Sequence, residues 1–107
     1  LVIQPHGGYP IDYKKFFNLK KKYNFYLIED SCHALGAKYK FDKKFYNVGS
    51  CEHTDFCAFS FHPVKTITTG EGGAVITRSY YHYKKVKSLR SHGIERKKNI
   101  GIMISNS

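Results

Sequence analysis

The feature that most constrains the fold of this 107-residue chain is an apolar run at residues 24–29, which directly follows a helical segment. Asp12 is placed to cap that helix, which we expect over residues 13–23. Its apolar positions, expected to face inward, are Phe16, Phe17, Leu19 and Tyr23. A helix that runs straight into a buried strand is half of an α/β repeat, in which parallel strands are covered on both faces. The sequence therefore predicts an α/β fold.

Further strands are predicted on either side of this unit. Residues 1–5 have the composition of a short buried strand, and residues 56–61 form a second apolar run of strand length. Residues 37–48 have the pattern of a hairpin. Its charged turn consists of Asp42, Lys43 and Lys44.

The C-terminal third predicts one more strand and one more helix. The strand is expected at residues 74–77, and a basic helix at about 80–91 would turn Val86 and Leu89 inward. The stretch 99–107 has no capping or turn pattern, so it is either an edge strand or an out-of-frame end.

The charge of the chain raises the question of an anionic partner. A net charge of +10 could attract nucleic acid or a smaller anion such as a nucleotide-linked substrate. No RNA-binding aromatic pattern, zinc-finger spacing or heptad organises this charge, so nucleic acid is the weaker interpretation. No apolar stretch has the length of a membrane span, and the opening residues lack the features of a signal peptide. We therefore expect no membrane partner and a cytoplasmic location.

The cysteines Cys32, Cys51 and Cys57 form neither a CxxC pair nor an even disulfide framework. A zinc site would have to recruit His33 and His53 at irregular separations, whereas structural zinc sites usually show two tight ligand pairs. Free thiols in a reducing compartment, and no metal, are the preferred interpretation.

Two residues at predicted strand ends could carry chemistry. Asp30 ends one apolar run, at the position where ligands bind in open α/β sheets, and Lys65 lies just beyond another. Taken alone, Asp30 could equally be a turn acid, Lys65 a solvated loop lysine and Ser60 an ordinary strand-end serine. The string GEGG at 70–73 is a turn where backbone can pass close to a ligand, and no GK[ST] follows to make it a P-loop.

Three strings in this sequence are characteristic in combination: IEDSCHALGAKY at 28–39, VGSCEHTDFCAFSFHPVKTITTGEGGAVIT at 48–77, and LRSHGIER at 89–96. With them the chain closely resembles the DegT/DnrJ/StrS family of sugar-nucleotide aminotransferases, over roughly residues 1–97. The motifs DSCH and SFHPVK most resemble those of the branch that aminates a C4 keto sugar in pseudaminic acid synthesis.

The resemblance assigns roles residue by residue. It implies that the amine of Lys65 carries pyridoxal 5'-phosphate and shuttles a proton. It implies that Asp30 pairs with the pyridine nitrogen and that Ser60 binds the cofactor phosphate. His33 stands where many relatives have a glutamine that faces the phenolic oxygen of the ring. A dehydratase branch of the family has histidine at the position of Lys65, so lysine there favours amino transfer.

The resemblance also implies an architecture and partners. Residues 1–98 would be the central part of the three-layer α/β/α large domain of a fold type I PLP-dependent transferase, and 99–107 an atypical tail. The implied partners are a nucleotide-linked 4-keto-6-deoxy sugar, glutamate as amino donor and a second subunit in a homodimer.

Family members are several times longer than this chain, so we expect it to be inactive by itself. The alternatives are a non-catalytic chain of the same ancestry and a small basic nucleic-acid-binding module.

Overall fold

The computed structural model describes residues 1–96 and 102–104. Eight strands and two α-helices form in the described part of the chain. The strands are β1 (Val2–Ile3), β2 (Ile28–Asp30), β3 (Lys38–Phe41), β4 (Lys44–Asn47), β5 (Phe56–Ser60), β6 (Gly73–Ile76), β7 (Ile94–Arg96) and β8 (Ile102–Ile104). The helices are α1 (Tyr13–Tyr23) and α2 (Tyr80–Arg90). The predicted helices, the hairpin and the strands are thus all present, with shorter bounds for β1 and β2.

The central sheet has four strands in the order β1-β2-β5-β6. β1, β2 and β5 are parallel, and β6 is antiparallel to β5. The sheet is therefore mixed. The reason is the connection: residues 61–72 contain no crossover helix, and a chain that does not cross over returns antiparallel.

The two faces of the sheet are covered unequally. Side chains alternate along a strand, so Glu29, Cys57 and Phe59 share one face while Asp30 and Ala58 share the other. The first face is closed by α1 and the β3–β4 hairpin, and it holds the core. The buried apolar residues are Ile3, Tyr13, Leu27, Ala34, Tyr39, Val48, Cys51, Cys57 and Phe59.

Helix α1 begins and ends as predicted, but one of its inward positions differs. The Asp12 carboxylate accepts a hydrogen bond from the Lys15 backbone N–H at 3.1 Å, which confirms the cap. Tyr23 is 61% exposed, under the ammonium of Lys22, so its predicted inner position is wrong. Tyr13 is buried instead, because the first turn of the helix, not the last, lies against the hairpin.

Helix α2 is capped by Ser79, whose hydroxyl accepts from the His82 backbone N–H. Leu89 and Val86 both face the sheet as predicted, but Leu89 is not buried: it is 67% exposed, whereas Val86 is half-buried. A cavity of about 860 Å³ separates α2 from β5 and β6, and Leu89 lines it without filling it. The face of the sheet under α2 is therefore open, and Val75 on β6 remains 53% exposed.

The tail forms a strand in part. Residues 102–104 make β8, which pairs antiparallel with β7, and the other residues of 99–107 lie outside the described part of the chain. Neither helix is long and apolar enough to cross a membrane, among the residues that the structure describes.

The unequal packing of the two faces predicts unequal costs for the same substitution. Leu27 is fully buried. The substitution Leu27→Ala should lower the free energy of unfolding by about 2–5 kcal/mol, because truncation leaves a cavity. Leu89→Ala removes the same atoms from an exposed position and should cost less than about 0.5 kcal/mol. Urea denaturation followed by circular dichroism measures both. Equal losses would contradict the assignment of the core to the α1 face.

Candidate active site

The candidate site lies at the carboxyl ends of two neighbouring parallel strands. Asp30 ends β2 and Ser60 ends β5. In the pairing of these strands Asp30 stands opposite Ala58, so Ser60 lies two residues further along on the same face. The sheet thus brings the carboxylate and the hydroxyl to one edge, as the sequence predicted for ligand-binding groups.

The carboxylate of Asp30 is half-buried and has two hydrogen-bond donors. Its Oδ1 accepts from the Cys32 backbone N–H at 3.2 Å, and its Oδ2 accepts from Gln4 Nε2 at 3.4 Å. Gln4 follows β1, so three successive strands of the sheet contribute groups to this edge.

Lys65 lies in the loop that leaves β5. Its backbone N–H donates to the His62 carbonyl at 2.9 Å, and the loop closes where Thr69 N–H donates to the Phe61 carbonyl at 3.0 Å. Lys65 is half-buried although its neighbours Val64 and Thr66 are exposed. The loop therefore turns at Lys65 and closes back on Phe61, the residue after the end of β5.

The thiol of Cys32 connects these groups electrostatically. Burial, and then the hydrogen bond to and charge of Asp30, raise the pKa of Cys32, whereas the charge of Lys65 and the Ser60 backbone N–H lower it. The Cys32 side chain therefore lies in the field of both Asp30 and Lys65. Its sulfur is also 4.0 Å from the Ala58 carbonyl, which ties the turn after β2 to β5.

Ser60 and His33 are the remaining predicted site residues. Ser60 Oγ accepts from the His62 backbone N–H at 3.4 Å, so its own hydroxyl hydrogen is free to donate to a ligand. His33 is exposed, and its Nδ1 accepts from the Gly7 backbone N–H at 3.5 Å. Its ring lies 5.2 Å from that of His6, so the histidine belongs to the rim of the site on the side of the Gly7 loop.

The last glycine of GEGG is explained by close backbone approach. Gly73 pairs with Ser60 across β5 and β6, and a Cβ on Gly73 would lie 2.7 Å from the Phe59 carbonyl oxygen. Any larger residue would push β6 away from the strand that ends in Ser60.

Comparison with known proteins identifies the family. A sequence model of the DegT/DnrJ/EryC1/StrS aminotransferase family matches residues 2–105. The chain belongs to this aminotransferase family.

Individual aminotransferases of the family show how far the similarity extends. A UDP-4-amino-4,6-dideoxy-N-acetyl-beta-L-altrosamine transaminase of Campylobacter jejuni is 50% identical over 92 residues, which is 86% of this chain and 23% of that protein. The structure of Helicobacter pylori PseC, an aminotransferase involved in the biosynthesis of pseudoaminic acid, superposes with a TM-score of 0.82 at 33% identity. The superposed region is 98% of this chain and 27% of the Helicobacter chain. A putative sugar aminotransferase of Streptococcus pneumoniae in its PLP form superposes with a TM-score of 0.72 at 27% identity. The superposed region is 98% of this chain and 30% of the Streptococcus chain.

These figures confirm the predicted membership of the family and a partial α/β domain of an aminotransferase. The chain spans about a quarter of the length of the relatives it matches.

Sequence reasoning missed Glu29, whose carboxylate has four hydrogen-bond donors. Its carboxylate is buried, with 1% of the residue exposed, on the face opposite Asp30. Its hydrogen-bond donors are the hydroxyls of Tyr13 (2.7 Å), Ser31 (2.6 Å) and Thr54 (3.4 Å) and the backbone N–H of Gly49 (3.2 Å). The available signal was a carboxylate inside an apolar strand, since such a group is rarely buried without partners.

Metal binding has no support in the geometry. Among residues 1–96 and 102–104 no group of three or more His, Cys, Asp and Glu side chains is arranged to hold an ion. The three cysteines are free, and Cys51 and Cys57 are buried.

The position of Cys32 between two opposite charges predicts opposite effects on its reactivity. Asp30→Asn should speed alkylation of Cys32 at a fixed pH near 8, because it removes a hydrogen bond and a charge that raise the thiol pKa. Lys65→Met should slow it, because it removes a charge that lowers that pKa. Each unit of pKa changes the thiolate fraction about tenfold.

Mass spectrometry of the alkylated peptides measures these rates. Cys57 is the internal control, because burial raises its pKa to about 12. Rate changes of the same sign in both variants would contradict the geometry of the site.

Proposed function

We propose that this chain is part of a pyridoxal-phosphate-dependent sugar aminotransferase. Its substrate would be a nucleotide-linked 4-keto-6-deoxy amino sugar, with glutamate as the amino donor. The observation that carries the proposal is that Asp30 and Ser60 end two neighbouring parallel strands on the same face, with a half-buried Lys65 in the loop that leaves the second strand. The names of the Campylobacter and Helicobacter relatives support the class of substrate.

The residues present suit pyridoxal phosphate by their donor chemistry. A half-buried carboxylate stands at the end of β2, a hydroxyl with an undirected hydrogen at the end of β5, and a half-buried lysine just beyond it. The cofactor needs an anion for its pyridine nitrogen, a donor for its phosphate and an amine for its aldehyde. Asp30, Ser60 and Lys65 supply one of each.

Each residue then has a definite task. When bound, the cofactor acts as an electron sink for the substrate carbon that loses or gains a proton. The Asp30 carboxylate would hold a proton at the ring nitrogen, which would keep the ring electron-poor. The Lys65 amine would first hold the cofactor and then move a proton. Ser60 would orient the phosphate, and His33 would donate toward the phenolic oxygen.

The proposal extends to assembly and location. The open face under α2 and the quarter-length coverage of the relatives favour a site completed by further chain and by a partner subunit, as in a homodimer. The free thiols of Cys32, Cys51 and Cys57 suit a reducing compartment, so we propose the cytoplasm.

Capture of the cofactor tests the role of Lys65. Incubation with pyridoxal phosphate followed by borohydride should leave a stable pyridoxyl group on Lys65 in excess of that on the exposed Lys87. Lys65→Arg should abolish that excess, since guanidinium does not condense with the aldehyde, and peptide mapping measures both sites. Equal labelling of the two lysines would refute the assignment.

Transplantation tests catalysis. The isolated chain should show no measurable transamination with glutamate, because it spans 23% of the Campylobacter relative. A version of that relative in which the matched segment is replaced by this chain's residues should be active, and Lys65→Ala in it should abolish turnover. A folded but inactive replacement would favour a non-catalytic chain of the same ancestry. Turnover by the isolated chain would overturn the expectation of dependence on further chain.

A further inference from the structure

The turn after β2 is held from the buried side of the sheet. Ser31 is fully buried, its backbone N–H donates to the Ala58 carbonyl at 2.9 Å, and its hydroxyl donates to Glu29 Oε1 at 2.6 Å. Ser31 stands between Asp30 and Cys32, the two residues joined by the hydrogen bond from backbone N–H to carboxylate. The direction of the Asp30 carboxylate therefore depends on a turn whose middle residue is bonded to Glu29.

We propose that Glu29 is a positioning residue for Asp30, acting through the Ser31 hydroxyl to hold the turn that directs the Asp30 carboxylate into the candidate site. The inference rests on the proposed function, since it explains how Asp30 is aimed at the cofactor ring. Glu29 itself lies on the opposite face of the sheet, within the core. The proposed cofactor-binding carboxylate of Asp30 and the carboxylate of Glu29 that positions it therefore lie on opposite faces of the sheet.

The four donors to Glu29 allow the positioning role to be separated from a general role in stability. Ser31 belongs to the turn that carries Asp30, whereas Thr54 approaches the other carboxylate oxygen, Oε2, at 3.4 Å from the loop before β5. Both residues are buried, and each donates one hydroxyl hydrogen bond. Ser31→Ala and Thr54→Val are therefore matched substitutions, and only the first breaks the link to Asp30.

The Cys32 amide proton is the reporter, because it is bonded to Asp30 Oδ1. We would record its chemical shift in the chain without cofactor as pH is lowered through the range in which carboxylates titrate. In the parent and in Thr54→Val, the Cys32 amide chemical shift should change with pH as Asp30 ionises. In Ser31→Ala, this pH-dependent change should be absent. The Cys32 thiol stays protonated in this range, since burial and Asp30 raise its pKa. The nearby rings of His6 and His33, and the Lys65 ammonium, are followed by their own signals.

Conservative replacement of Glu29 provides the rescue. Oε1 accepts from Tyr13, Ser31 and Gly49, so the amide oxygen of Glu29→Gln can take over all three bonds. Its NH₂ group would face Thr54, whose hydroxyl can accept instead of donate. Glu29→Gln should therefore keep the Cys32 shift, whereas Glu29→Leu should lose it.

Two outcomes overturn the proposal. In the first, the pH-dependent change of the Cys32 amide signal is retained in Ser31→Ala; in the second, Thr54→Val loses this change to the same extent as Ser31→Ala. The amide spectrum of each variant shows whether the sheet is still formed, and Ser31→Ala retains the other three donors to Glu29. The result is independent of cofactor capture. Failure of Lys65 to bind pyridoxal phosphate would remove the proposed function, while failure of the shift experiment would remove only the role of Glu29.

Discussion

A buried carboxylate constrains the arrangement of the whole domain. An acid taken out of water needs several hydrogen-bond donors, and leaving it without them costs several kcal/mol in order of magnitude. Glu29 draws its donors from helix α1, from the turn after β2 and from the segment that joins β4 to β5. Three of the four donors lie 16 to 25 residues from Glu29 in sequence, so the carboxylate is fully satisfied only when α1 and the β4–β5 segment have reached their native positions. This interaction therefore makes the α1 face cooperative.

The edge that carries the candidate site follows from the same strand. Because side chains alternate, the residue after Glu29 must emerge on the other face, and there the strand ends. Parallel pairing with β5 then places Ser60 beside Asp30 at the same edge. The antiparallel return of β6 keeps residues 61–72 at that edge, so Lys65 needs no long connection to reach it. Gly73 completes the arrangement by letting β6 approach the Phe59 carbonyl.

Local patterns were sufficient to predict the elements but not all of their faces. The bounds of α1 and α2, the hairpin and the strand-end position of Asp30 depend on neighbours in sequence, and all were predicted. The burial of Tyr13 and the exposure of Leu89 depend on which helix turn meets which layer, which a helical period does not determine. The roles of Lys65 and Ser60 came from a family resemblance, since a lysine and a serine at strand ends are individually ordinary. Cys32 was considered only as a free thiol or zinc ligand, because its neighbours in space are a product of strand order.

The two faces of the sheet divide stability from chemistry. The α1 face is filled by the core and by the donors of Glu29, whereas the α2 face is open over a cavity of about 860 Å³ and leaves Val75 exposed. Groups on an open face are poorly held by their own surroundings, because few neighbours restrict their rotamers. Asp30 lies on that open side, where its carboxylate accepts from Gln4 and from the Cys32 backbone N–H, and the second of these donors belongs to the turn that Ser31 ties to the closed side. Glu29 and Asp30 are thus adjacent acids on opposite faces of one strand, the first held in the core and the second at the open side.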